Sequence, residues 1–295
     1  MNTERAVESI VHPHPGPLPL GEGGAYAVSR GIIYSRMTDV PWRLREHAEV
    51  TSTNLIAADL PAWHAVRADT QTAGRGRFQR QWVSDVGGLW LSAVVPVETN
   101  SPAWRMLPLA TGLAVCQTLR TTGVKELRLR WPNDVLVRDG KLAGLLIDQF
   151  KPGLAVVGIG INVRNQPQVC DASLRGHVAR LADLVSPAPS VRNLAVHVLA
   201  SLKIIWQQVL DYGPVIILER VNELWDLPRR VEIQLDSFRA SAGWKPALRD
   251  SLEGGPTTVG EFLGVDVRGR LQLRGADGAI DFFEPQDVRL LRDIP

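Results

Sequence analysis

The sequence predicts an α+β fold: a central mixed or antiparallel sheet with flanking helices, and a small β-barrel appended behind it. Three patterns lead there. Between residues 62 and 163, short apolar or alternating runs are separated by turn signals such as Asp139-Gly140, a hairpin dipeptide. Two long stretches, 103–121 and 191–218, instead carry the apolar spacing of amphipathic helices. After Leu227 the chain breaks into short strands with Gly/Asp turns, the material of a small barrel.

Composition bounds what such a chain does. Its 295 residues accommodate one large core and a small second domain, and 45% hydrophobic with 22% charged residues is ordinary for a globular protein. Lys+Arg 33 against Asp+Glu 31 lacks the basic excess of a protein whose main ligand is nucleic acid. No apolar run approaches a bilayer span, and the N-terminus lacks the apolar core of a signal peptide. Cys116 and Cys170 lie far apart without metal spacing, so a reduced, cytoplasmic protein is expected.

In chain order, residues 1–40 are expected to be disordered. The segment 11–24 is dense in Pro and Gly, and His12 and His14 have no further ligand nearby that would make them a metal site. The start codon is also open to a later placement. A larger domain is expected over 41–227. Val50-Thr-Ser-Thr-Asn54 is an N-cap cluster opening a short helix through Leu55, Ala58 and Leu60. Ala62–Ala68 and Gly88–Val95 read as strands flanking a glycine-arginine loop. Leu107, Ala110, Leu113, Ala114 and Leu119 stripe one face of the helix at 103–121. Leu127–Trp131, Val135–Val137, Lys141–Phe150 and Leu154–Val163 read as further strands, and the helix at 191–218 is expected to break near Gly213-Pro214. The second domain, 228–295, carries strands at 231–235, 257–267, 271–274 and 279–283, with an insertion expected at 238–255.

The loop Gln71–Trp82 contains Arg75, Arg77 and Arg80 alternating with Gly74 and Gly76. Glycine lets a backbone approach a ligand closely, and guanidinium forks match carboxylate and phosphate oxygens. Such a loop suits closure over a small anion. Three more polar clusters sit at element ends: Ser52-Thr-Asn54, Trp131-Pro-Asn-Asp134 with Gly140-Lys-Leu-Ala-Gly144, and Gly158-Ile-Gly-Ile-Asn162. Alone, each has an ordinary explanation as a cap, a turn, a solvated hairpin lysine or a small-residue strand.

Together and in this order, GRGR, WPND, KLAG and GIN resemble the biotin protein ligases, from about Glu49 to Asn162, and more weakly at Gly264–Leu271. The resemblance implies the class II synthetase-like fold of biotin and lipoate ligases, with an SH3-like C-terminal domain. It also implies ATP-dependent activation of biotin as biotinyl-5′-AMP, with Mg²⁺, and transfer to a lysine of a biotin carboxyl carrier protein. By the same resemblance Ser52, Thr53, Gln71, Gly74, Arg75, Lys141 and Gly144 bind biotin. Arg77, Arg80, Trp82, Asn133 and Asn162 contact ATP or the adenylate, and Lys141, Arg77 and Asp134 serve catalysis. Asp134 corresponds to a carboxylate that orients or deprotonates the acceptor lysine.

Two positions depart from the family pattern. Gln79 stands where the loop usually has glycine, giving GRGRFQRQW in place of GRGRxGRxW, and its β-carbon is expected to stiffen the loop or forbid a positive φ. Arg130 precedes Trp131 where lysine is common, so the charge is kept. Three other readings stand beside this one: a lipoate or octanoate ligase on the same fold, a bifunctional ligase–repressor, and a biotin-binding protein without turnover. The monofunctional type is favoured, without specific DNA binding. The roughly 45 residues before the larger domain lack the helical periodicity of a winged helix-turn-helix.

Overall fold

The computed structural model describes residues 7–11, 41–98, 101–166, 178–225, 229–236 and 256–294. Eight strands form the central sheet: β1 (Val7–Val11), β2 (Trp42–Val50), β3 (His64–Gln71), β4 (Leu89–Pro96), β5 (Leu127–Arg130), β6 (Asp134–Val137), β7 (Gly140–Lys151) and β8 (Leu154–Ile161). Their order is β1-β2-β3-β4-β8-β7-β6-β5. Only β2 and β3 pair in parallel, joined by the short helix α1 (Thr53–Ala57); the other neighbours are antiparallel.

Period-two alternation gives this sheet two different faces. Leu89, Leu91, Ala93 and Val95 of β4, with Val157, Ile159 and Ile161 of β8, point into the main core. That core is closed by α2 (Pro102–Thr121) and α3 (Val191–Tyr212), whose Leu107, Ala110, Leu113, Leu199 and Trp206 are fully buried or nearly so. Each such large side chain contributes about 1.5–3 kcal/mol on burial. Two indoles fasten α3: Trp42 Nε1 donates to the Leu199 carbonyl at 2.8 Å and Trp206 Nε1 to that of Pro96 at 2.8 Å. On the opposite face α1 covers only a small cluster, Ala57, Leu60, Val66, Val94 and Val156. The rest of that face is left for the site.

Gly213, at φ 79, ends α3, and Pro214 starts α4 (Val215–Asn222), the expected break. The C-terminal domain is a five-stranded antiparallel sheet of β9 (Arg229–Leu235), β10 (Thr257–Val265), β11 (Leu271–Arg274), β12 (Ile280–Phe283) and β13 (Val288–Asp293), ordered β12-β11-β10-β9-β13. It is bound to the larger domain by Trp131 Nε1 donating to the Gly269 carbonyl at 3.0 Å and by an Arg128–Asp293 ion pair of 2.6 Å.

Three strands were not anticipated. Val7–Val11 pairs with β2 along its whole length, so the expectation of disorder over 1–40 fails for these five residues. β2 interleaves Arg43, Arg45 and Glu46 with its buried Trp42 and Leu44, which dilutes the strand pattern. In β13 a register shift between Val288 and Leu290 breaks the alternation. The segment 12–40, with His12 and His14, the insertion at 238–255 and Cys170 lie outside the described residues. Cys116 is a free, buried thiol, which burial pushes up to about 12. No described helix is long and apolar enough to cross a membrane.

Candidate active site

The open face of the sheet is floored by glycine. Gly144 of β7 lies opposite Gly160 of β8, and Gly158 lies opposite Ser92 of β4. A Cβ on Gly144 would fall 2.8 Å from the Trp82 ring, one on Gly160 2.6 Å from its Nε1, and one on Gly158 2.5 Å from Asn54 Oδ1. The strands therefore carry glycine because an indole and an amide lie directly on their backbone. Around this floor opens a cavity of about 1440 Å³, lined by α1, the arginine loop, β5–β8 and β13.

At one end stands the start of α1. Ser52, Thr53 and Asn54 are buried, yet all three line the cavity. Ser52 occupies the N-cap position but makes no capping hydrogen bond, unlike the cap that the sequence suggests. Gln71, at the end of β3, accepts from the Thr53 amide (2.8 Å) and hydroxyl (3.0 Å) and donates to Ser84 Oγ at 2.8 Å. Ser84 in turn donates to the Trp82 carbonyl at 3.0 Å. Both ends of Gln71 are thus fixed, and the network runs from the helix start into the loop.

The loop folds back on itself. Trp82 N donates to Gly74 O at 2.9 Å and Gly76 N to Arg80 O at 2.7 Å. A Cβ on Gly74 would meet the Trp82 carbonyl at 2.4 Å, so this closure requires glycine there. At its tip Phe78 and Gln79 adopt φ 55 and 58. Gln79 therefore does take a positive φ, and the expectation that its β-carbon forbids one is corrected; the left-handed region is costly for a side-chain-bearing residue, not closed to it.

The loop arginines diverge. Arg75 Nη2 lies 3.7 Å from Asp148 Oδ2. Arg77 reaches into the C-terminal domain, donating to the Pro285 carbonyl and to that of Val288 at 3.1 Å. Burial pulls its guanidinium down to about 10, with Asp134 acting in the opposite sense and Arg80 adding to the fall. Arg80 is exposed and lines the cavity.

Across the floor, Lys141 Nζ contacts Asp134 Oδ1 at 2.6 Å, and Arg130 Nη2 contacts Oδ2 at 2.9 Å. Burial alone raises the Asp134 carboxyl; Lys141 and Arg130 outweigh it and hold the group below its ordinary range. Lys141 Nζ also stands 5.1 Å from the Trp82 ring centroid. Two asparagines brace this corner. Asn133 Nδ2 donates to the Leu145 carbonyl at 2.7 Å; Asn162 Nδ2 donates to that of Lys141 at 3.3 Å, and its Oδ1 accepts from Asn165 at 3.0 Å.

Every site residue singled out in the sequence lies on this one cavity except Gly74, which shapes the loop from behind. Sequence reasoning missed Ser92, which donates to Asn54 Oδ1 or Thr53 Oγ1 at 2.5 and 2.7 Å, and Asp148, which accepts from Asn54 Nδ2 at 2.8 Å. Asp148 had one available signal: it follows Gly144 and Leu146 at the two-residue spacing of one strand face.

Comparison with known proteins bears on the family of the chain. A model of the biotin/lipoate A/B protein ligase family matches residues 46–164. The biotin–[acetyl-CoA-carboxylase] ligase of Mycobacterium tuberculosis is 33% identical over 251 residues, covering 79% of this chain and 84% of that protein. A protein of the same name from Paracoccus denitrificans is 30% identical over 253 residues, covering 78% and 94%. Among solved structures, the biotin protein ligase of Aquifex aeolicus in complex with biotin and ATP superposes with a TM-score of 0.68 at 25% identity, covering 85% of this chain and 99% of that one. The chain belongs to the biotin/lipoate A/B protein ligase family.

Proposed function

We propose that this chain is a cytoplasmic, ATP-dependent biotin protein ligase. It activates biotin as biotinyl-5′-AMP, releasing pyrophosphate, and transfers the biotinyl group to one lysine of a biotin carboxyl carrier protein. The observation that carries the reading is the single cavity joining three parts: the polar end at Ser52, Thr53 and Gln71, the Lys141–Asp134–Arg130 cluster, and the arginine loop. The relatives named as biotin ligases, and the Aquifex aeolicus structure with biotin and ATP, support it.

In this reading the Thr53 and Gln71 groups, with Ser52 beside them, receive the polar ring of biotin; Gly74 permits the loop closure beside them, and Gly144 lets Trp82 and Lys141 lie close over the floor beside the biotin chain. The carboxylate extends towards Lys141. One of its oxygens attacks the α-phosphorus of ATP, and the bond to the bridging oxygen of the β-phosphate breaks as pyrophosphate leaves. Lys141, Arg77 and Arg80 stabilise charge on the phosphoryl oxygens, and Trp82, Asn133 and Asn162 shape the nucleotide side. Magnesium enters as MgATP. Among the described residues no three His, Cys, Asp or Glu side chains cluster, and an ion held by phosphates and water needs no such cluster.

In the second step a neutral lysine amine attacks the acyl carbon, an amide forms, and the acyl–phosphate oxygen bond breaks to release AMP. Asp134 is ionised and doubly paired, which makes it a weak base. Its role is to orient the acceptor ammonium and amine, and the proton passes to solvent. The near-neutral overall charge gives no support to specific DNA binding.

Pyrophosphate exchange into ATP tests the assignment. Exchange is expected with biotin and not with lipoate or octanoate; exchange driven by lipoate alone transfers the chain to the other branch of the family.

A further inference from the structure

We infer that Asp148 is a positioning residue that holds the loop arginine Arg75 over the biotin end of the site and so retains the activated intermediate; this rests on the biotin-ligase reading above. Asp148 shares the strand face of Gly144 and Leu146 on β7 and lies just beyond the main cavity, in a small pocket that it lines together with Arg75 and Leu146. Its Oδ2 accepts from Asn54 Nδ2 at 2.8 Å and lies 3.7 Å from Arg75 Nη2. Asn54 cannot drift, because it lies on the bare backbone of Gly158 with Ser92 Oγ 2.5 Å from its Oδ1. Asp148 thus stands on a fixed support and presents charge to the side chain of a loop whose own backbone is closed by the Gly74–Trp82 and Gly76–Arg80 hydrogen bonds.

The separation matters. At 3.7 Å the pair attracts as charges but is too long for a hydrogen bond. Arg75 Nε and Nη2 are buried and have no hydrogen-bond partner. Buried donors are costly when left unmet, so these two nitrogens are poised for an acceptor that arrives with the ligand. Asp148 holds the guanidinium in place without consuming its donors.

The test uses the full-length protein and Asp148→Asn, which keeps volume and an acceptor for Asn54 but removes the charge facing Arg75. The biotin KM in pyrophosphate exchange should rise about tenfold, and preformed biotinyl-AMP should dissociate about tenfold faster, while kcat at saturating biotin stays within about twofold. Asp148→Glu should recover most of the loss. A double-mutant cycle of Asp148→Asn with Arg75→Lys should be non-additive, and Asp148→Ser takes the place of Asp148→Asn in the cycle if that variant does not fold. A purely structural role would lower thermal stability and leave KM and adenylate release unmoved; that result, or an additive cycle, overturns the inference. If the parent protein itself shows no biotin-dependent exchange, the ligase reading fails first; if the parent exchanges and Asp148→Asn matches it, only the role of Asp148 fails.

Discussion

Lys141 and Asp134 meet at 2.6 Å beside the glycine floor, and their chemistry separates cleanly by substitution. Lys141→Ala removes the cation nearest the expected carboxylate and α-phosphate, and should lower biotinyl-adenylate formation about a hundredfold or more with the fold intact. Exchange at the parental rate in a folded variant would remove Lys141 from the mechanism. Asp134 makes a pH-dependent contribution. Its folded pKa is depressed, so its stabilising effect is fully present above the unfolded value near 4 and is lost as pH falls through the lower folded value. The stability gap between the parent and Asp134→Asn, read by urea denaturation, should therefore be widest at neutral pH and close below about pH 4. A gap that widens on acidification would contradict the pairing.

At the scale of elements, the arginine loop is the most informative. Gln79 holds φ 58 next to Phe78 at φ 55. A side chain in the left-handed region costs about 1–2 kcal/mol, and glycine there forfeits about 0.5–1 kcal/mol through the unfolded state, so Gln79→Gly should shift global stability by no more than about 1.5 kcal/mol. It should nonetheless speed limited proteolysis within residues 75–81, because the tip loses its conformational restriction; unchanged cleavage would show that Gln79 does not stiffen the loop. The sequence made most elements legible because Leu, Val and Ile followed periods of two or 3.6, as in the β4 and α2 faces. The positions of Ser52, Gln71, Lys141 and Trp82 around one cavity followed from motif order. What stayed hidden depends on tertiary partners. Asp148 and Ser92 gain meaning only once β7, β4 and α1 are adjacent, and Arg77 meets carbonyls more than 200 residues away, Pro285 and Val288.

Over the whole molecule the cavity lies between two domains, since Val288–Ile294 of the C-terminal sheet line it together with Arg128, Arg130 and Lys141 of the larger domain. The interface combines a shared apolar core, with Phe262 against Trp225, and polar contacts of Trp131 on Gly269, Arg128 on Asp293, Arg105 on Glu284 and Arg77 on Pro285 and Val288. Trp131→Phe deletes a buried hydrogen bond and leaves the Gly269 carbonyl unmet, which should cost about 1–3 kcal/mol in urea denaturation. It should also weaken adenylate formation, because the same substitution loosens one wall of the site; a destabilised variant with parental activity would detach the interface from catalysis. In the proposed function one cavity carries both activation and transfer. The most direct test is mass spectrometry of a biotin carrier domain incubated with this chain, biotin and MgATP: the account predicts one biotinyl group on one lysine, dependent on ATP, and an unmodified carrier beside an active pyrophosphate exchange, or a carrier lipoylated instead, would contradict it.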